Sequence, residues 1–145
     1  MSRKDTAALL QRARYAKERS AAREVAEGRD REASERERLS ALEAWREDYG
    51  ARQQTLLRSG HASVADLARW QHFLETLDAA IATQRSVVAR REEATEASRM
   101  RWQDRRVDRA VAERFADRVR EEARRREDRR EQAATDERYG GRRGR

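Results

Sequence analysis

Across 145 residues this chain has no proline and a single place where a helix is forced to stop. Proline is the residue that most reliably interrupts a helix, because it lacks the amide proton and its ring clashes with the preceding turn. Without it, an uninterrupted helical pattern breaks only at Ser59-Gly60-His61-Ala62-Ser63. Gly60 suits the left-handed position that follows a helix end. Ser63 with Asp66 then has the spacing of a capping box, as do Ser2 and Asp5 at the start of the chain. The expected fold is therefore all-α, a long two-helix antiparallel coiled-coil hairpin. Helix one runs from about 3 to 59, the turn covers 60–63, helix two runs from about 64 to 138, and 140–145 form a disordered basic tail. Residues 1–139 make one domain in this reading. Gly28 and Gly50 are weak points inside helix one, each costing about 1 kcal/mol relative to alanine.

Apolar spacing sets the register. Leu67, Trp70, Leu74, Leu77, Ile81, Gln84 and Val88 alternate in steps of three and four, the repeat of a left-handed coiled coil. Helix one answers with Leu39, Leu42, Tyr49 and Leu56, interrupted by Arg46 and Gln53. Folding at Gly60 pairs residues whose numbers sum to about 122. Tyr49 should then meet Phe73, Trp45 should meet Leu77, Leu42 should meet Ala80, and Arg38 should meet Gln84. Farther from the turn the seam is expected to thin to Ala13, Ala16 and Ala26 on helix one, against Trp102, Val111, Phe115 and Val119. Helix two is the longer, so roughly its last twenty residues should lack a partner. Two helices of this length imply a rod, not a globule.

Composition decides between a folded rod and a disordered chain. Leu, Ile, Val and Phe make up about 13% of the residues, low enough for disorder. Against that, 88 residues are Ala, Glu, Lys, Leu or Arg, the makeup of long helices. The formal charge of +7 comes from closely interspersed signs, with 43% of residues charged. Pairs such as Glu27/Arg31, Glu32/Arg36, Glu121/Arg125 and Glu122/Arg126 would each add roughly 0.2–0.5 kcal/mol to an exposed helix. Mixed charge reads as a solvated helix surface, so no nucleic-acid partner is expected. There is no cysteine, hence no disulfide or thiolate. No apolar run is long enough to span a membrane, and a cytoplasmic location is expected.

Catalytic chemistry finds little footing. His61 and His72 are the only histidines, no residues have metal-ligand spacing, and no glycine-rich phosphate loop occurs. The expectation is a non-enzymatic protein with no cofactor and no metal. The informative surface is aromatic. Half of the eight aromatic residues, Trp45, Tyr49, Trp70 and Phe73, flank the turn. Two facing helices offer only two inward stripes, and these residues exceed what the stripes hold. Phe73, Ala80 and Gln84 drift to the flank of the Leu77 seam, and Trp45 sits one residue from it. An aromatic patch on charged helices suggests a docking site.

The run Leu42-x-x-Trp45-x-x-x-Tyr49, then Gly60, then Gln71-x-Phe73-x-x-Thr76-Leu77-x-x-Ala80-Ile81-x-x-Gln84 resembles the flagellar type III export protein family FliJ. Trp102 and the ending Glu131-Gln132-x-x-x-Asp136-Glu137 are also similar. Trp45 departs from the family's usual tyrosine, keeping the ring and losing the hydroxyl. The resemblance implies a cytoplasmic export component, peripheral at the inner face of the cell membrane, built like the two-helix stalk of the rotary ATP synthase γ subunit. It implies three kinds of partner: a hexameric export ATPase of the FliI type, an export gate protein of the FlhA type, and export chaperones. The gate-binding residues would be Leu42, Trp45, Tyr49, Phe73, Leu77, Ala80 and Gln84. The region entering the ATPase ring would include Val111, Phe115, Val119, Arg125, Arg129 and Gln132. The protein would promote ring assembly and couple ATP turnover to the gate. A stalk protein of a virulence injectisome, of the YscO type, and a basic nucleic-acid-binding coiled coil are the alternatives.

Overall fold

In a computed structural model, which describes residues 1–143, the chain forms two helices, α1 (Arg3–Ser59) and α2 (Val64–Arg143), packed against each other without strands. Both start at the serines expected to cap them. The Asp5 amide donates to Ser2 Oγ at 3.1 Å, and the Ser2 amide donates back to Asp5 Oδ2 at 3.2 Å. At α2 the Asp66 amide donates to Ser63 Oγ at 3.1 Å. These bonds satisfy amides that a helix start leaves without partners. They also hold Asp5 and Asp66 below the ordinary aspartate value of 3.8, with the serine hydroxyl contact as the largest cause in each case.

The turn spans 60–63, and one residue in it takes the left-handed conformation. Gly60 has φ +71°, and a β-carbon there would meet nothing within 4 Å. The demand for glycine is thus conformational and not a matter of space. At the other end α2 runs through Gly140 and Gly141 to Arg143, past the point where the sequence predicts a tail. An established helix adds residues at the cost of one set of dihedrals each, and no proline stops it. Gly144 and Arg145, the remainder of that expected tail, lie outside the described residues.

The helices form two compact units. One is Arg23–Met100, which contains the turn; the other joins Met1–Ala22 to the described part of Arg101–Arg145. In the turn unit the seam of α2 runs through Leu67, Trp70, Leu74, Leu77, Ile81, Gln84, Val88, Arg91, Thr95 and Ser98, all buried or half-buried, with Ala80 and Val87 half-buried at its edge. On α1 it runs through Val25, Gly28, Glu32, Glu35, Leu39, Leu42, Arg46, Tyr49, Gln53 and Leu56. Both sets keep the three–four alternation without a slip. Arg46 and Gln53 belong to the seam and do not break it. Arg46 keeps its stem inward and sends its Nε to Asp78 Oδ1 at 2.7 Å, and Gln53 reaches Gln71 at 3.4 Å. Gly28 is a close-approach site, since a β-carbon there would lie 3.2 Å from Thr95 Oγ1.

In the terminal unit the seam is built differently. Ala7, Ala116 and Val119 form a small core with Phe115 packed on it. Ala21 and Ala112 are also buried, and between these small residues Gln11, Arg14, Glu18, Arg105 and Arg109 are half-buried. The Arg109 Nε contacts a Glu18 carboxylate oxygen, with Arg109 NH1 on Glu113 at 3.1 Å. Ala13, Ala16 and Ala26, expected in the seam, are exposed, and so is Val111. The alternation carried back from Leu39 lands on Ala7, Ala21 and Val25 instead. Small apolar residues fit the inner stripe only where the register puts them there.

Candidate functional site

The turn unit has two unlike flanks. In an antiparallel pair, residues just after a seam position on both helices share one side, and residues just before such positions share the other. The first side is closed by polar bridges. Glu43 faces Arg85 at 3.5 Å, Asp78 takes Arg46, Gln71 takes Gln53, and Arg36 pairs with Glu92. The second side carries Trp45, Phe73 and Ala80. Along 38–52 of α1 and 69–84 of α2 no ion pair between the helices closes it.

Tyr49 anchors that aromatic flank from the seam. Its ring meets Phe73 edge-on at 4.8 Å, with an interplanar angle of 79°, and Trp70 at 5.8 Å and 51°. Such tilted pairs set the positive edge of one ring on the negative face of another. The Arg52 guanidinium lies 5.1 Å from the Tyr49 ring centroid, within cation–π range. A shallow groove of ≈ 280 Å³ is lined by Tyr49, Arg69, Trp70 and Phe73. Arg69 is held by Asp66 at 2.8 Å. Even with its ring contact Phe73 remains 41% exposed, and Trp45 is 57% exposed.

The other residues singled out from sequence are placed unevenly. Leu42 and Ala80 are half-buried beside the exposed rings. Leu77 is only 8% exposed and belongs to the seam, so it supports the patch from beneath. Gln84 is half-buried and donates to the Glu35 carbonyl at 3.0 Å and to Glu35 Oε2 at 2.6 Å. Arg38, expected to meet Gln84, instead pairs with Glu35 at 3.3 Å. Glu35 holds the seam position, and Arg38 lies one turn on at its edge. Trp70, Arg69 and Arg52 complete the aromatic site. The heptad already placed Trp70, whereas the two arginines had no sequence signal among the chain's 33.

In the terminal unit Val119 is buried, Phe115 is half-buried with the Arg3 guanidinium 5.8 Å from its ring, and Val111 is 59% exposed. Arg3 also pairs with Glu122 at 3.2 Å, which marks where α1 ends as a partner. From Arg124 to Gly141 every residue of α2 is exposed. Arg125 pairs with Glu121 at 3.3 Å and Gln132 with Asp136 at 3.4 Å, both within the helix. Arg129 is exposed beside them.

Among the described residues there is no group of three or more potential metal ligands and no helix long and apolar enough to cross a membrane. Compared with known proteins, the chain matches the family model described as "Flagellar FliJ protein" over residues 7–144. No curated protein and no solved structure matched it. A match over nearly the whole length, on a two-helix hairpin with no strand, places this chain in the FliJ family of flagellar type III export components.

Proposed function

We propose that the protein is the stalk of the cytoplasmic export ATPase complex, working where that complex meets the inner face of the cell membrane. The terminal unit enters the ring of the hexameric export ATPase, favours ring assembly and supports ATP turnover. The turn unit docks the export gate protein and couples turnover to export, and the protein also engages export chaperones. The observation that carries the gate reading is the aromatic flank. Trp45 and Phe73 stay exposed although Leu74, Leu77 and Ile81 already fill the seam between the helices. Solvent-facing aromatic side chains, with Phe73 held edge-on by Tyr49, suit an interface hot spot. The free aromatic surface is costly to leave in water unless it is used.

Trp45, Phe73 and the Tyr49 edge make the primary contact in this proposal, with Leu42 and Ala80 around them. Leu77 and Gln84 act from within the seam by keeping the flank in place. For the ring, Phe115, Val111 and the charged stretch containing Arg125, Arg129 and Gln132 supply the surface, with Val119 beneath. Replacing Trp45 and Phe73 by alanine and measuring affinity for the gate protein's cytoplasmic domain by calorimetry tests the gate contact. The expected result is loss of binding with helicity by circular dichroism unchanged. Retained binding, or an equal loss of helicity, would sink the reading.

A further inference from the structure

Part of the terminal unit puts charged side chains inward and large apolar ones outward. Its seam holds Gln11, Arg14, Glu18, Arg105 and Arg109, while Leu10, Val107 and Val111 lie 38%, 62% and 59% exposed. Two of these outward residues, Leu10 and Val111, come together beside the half-buried Phe115. Leu10 from α1 and Val111 and Phe115 from α2 line one groove of ≈ 360 Å³, bordered by Arg14, Asp108 and Arg118. From Asp108 to Arg118 it follows α2 for about 15 Å, nearly three turns. A hollow between two antiparallel helices is the place where a third helix packs in a three-stranded bundle.

The charges at the rim select the occupant. Asp108 is already neutralised, with Arg14 at 3.9 Å and Arg105 at 3.7 Å. Arg118, and Arg114 one turn before it, make no ion pair among the described residues. The charge left free at the groove is therefore positive. A second copy of this chain would bring the same cations together across the contact, which disfavours self-association. We propose that this groove receives a third helix from a partner protein, an amphipathic one whose apolar stripe is bordered by carboxylates. Its apolar residues would cover Leu10, Val111 and Phe115, and its carboxylates would meet Arg118 and Arg114. The inference goes beyond the gate contact; it deepens the ring reading, because Val111 and Phe115 also belong to the surface assigned above to the ATPase ring, and its peptide test can fail without that reading failing.

Two synthetic helical peptides test it, each with a Leu/Ala stripe, one bordered by glutamate and one by lysine. Their affinity for the full chain would be read by fluorescence anisotropy. The glutamate peptide should bind at least about tenfold more tightly than the lysine peptide, the factor expected for complementary against like charge. Val111→Asp should remove that binding while circular dichroism and gate-protein binding stay unchanged, since Val111 is exposed and outside the seam. Arg118→Glu should reverse the preference between the peptides. Equal binding of both, binding of neither, or indifference to both substitutions would overturn the proposal. So would a concentration-dependent dimer in sedimentation that Val111→Asp abolishes, since the face would then belong to a second copy. Loss of gate binding on Trp45→Ala, with peptide binding intact, would keep the two sites separate.

Discussion

In the turn unit the seam carries large apolar side chains beside its polar ones and aromatic residues spill onto a flank, while in the terminal unit the seam is mostly small and charged and Leu10, Val107 and Val111 face outward. Leu74, Leu77, Ile81 and Val88 are 2–8% exposed in the first; Ala7, Ala112, Ala116 and Val119 do the equivalent work in the second. The two units thus use one helical repeat with different cohesion. Alanine buries little area, so each contact it makes removes little apolar surface from water. Charged seam residues add attraction only after recovering the cost of leaving water. The terminal unit should be the more easily opened of the two, and the turn unit the firmer mount for a docking surface.

Substitution of Leu77 is the sharpest way to break this contrast. Leu77→Ala should destabilise the turn unit by about 2–5 kcal/mol, the range for a buried leucine. Denaturant melts would show it, and hydrogen exchange would accelerate at 67–88 before 105–119. An equal effect from Val111→Ala would erase the distinction between seam and outward face. Next is the Glu18–Arg109 contact in the terminal unit. Glu18→Ala leaves the half-buried Arg109 guanidinium with only Glu113 and should cost about 1–2 kcal/mol, less than for a fully buried pair. Replacing both partners by leucine should restore or raise the melting temperature if the charged seam is a weak one.

Smaller effects sharpen the picture at the turn. Gly60→Ala forces a side chain into the left-handed region and should cost about 1–2 kcal/mol; refitting to a longer glycine-containing loop should recover it. Trp45→Ala should change stability by no more than about 0.5 kcal/mol because the ring is mostly in water, while removing the proposed gate contact. The least effect is that of acid. Asp5 and Asp66 titrate below the ordinary 3.8 in the folded chain. Their contribution is therefore fully present above that value and is lost as pH falls from it through the lowered folded values. Glu96, lowered mainly by its hydrogen bond with Arg99, follows the same sign below its ordinary 4.5. A pH titration by circular dichroism should show the helix starts fraying only in that acidic window, with Ser63→Ala removing much of the dependence at α2.

How far the sequence alone carries can be judged from single positions. The Tyr49–Phe73 pairing followed from folding the chain at Gly60, because leucines and aromatics on both sides of the turn marked the stripe plainly. The same reasoning misplaced Ala13, Ala16 and Ala26. In the terminal unit the inner stripe holds glutamine, arginine and glutamate, which hydropathy does not distinguish from surface residues. Only the unbroken count of three and four, continued from Leu39 back to Ala7, reveals it. Gln84 shows a related limit, since spacing put it near Arg38 and geometry gave it to Glu35. Long side chains choose partners by reach and direction, which one-dimensional spacing does not encode.

Local chemistry written in the chain determined the helices, their serine caps, the glycine turn and the approximate register. Absence of proline, helix-forming composition and left-handed φ are properties of short segments, so they can be read residue by residue. Which flank is bridged and which is left aromatic, and that the terminal unit turns Val107 and Val111 outward while burying Val119, was decided only when two helices met. Those outcomes depend on which side chains compete for the same narrow seam, a choice made in three dimensions.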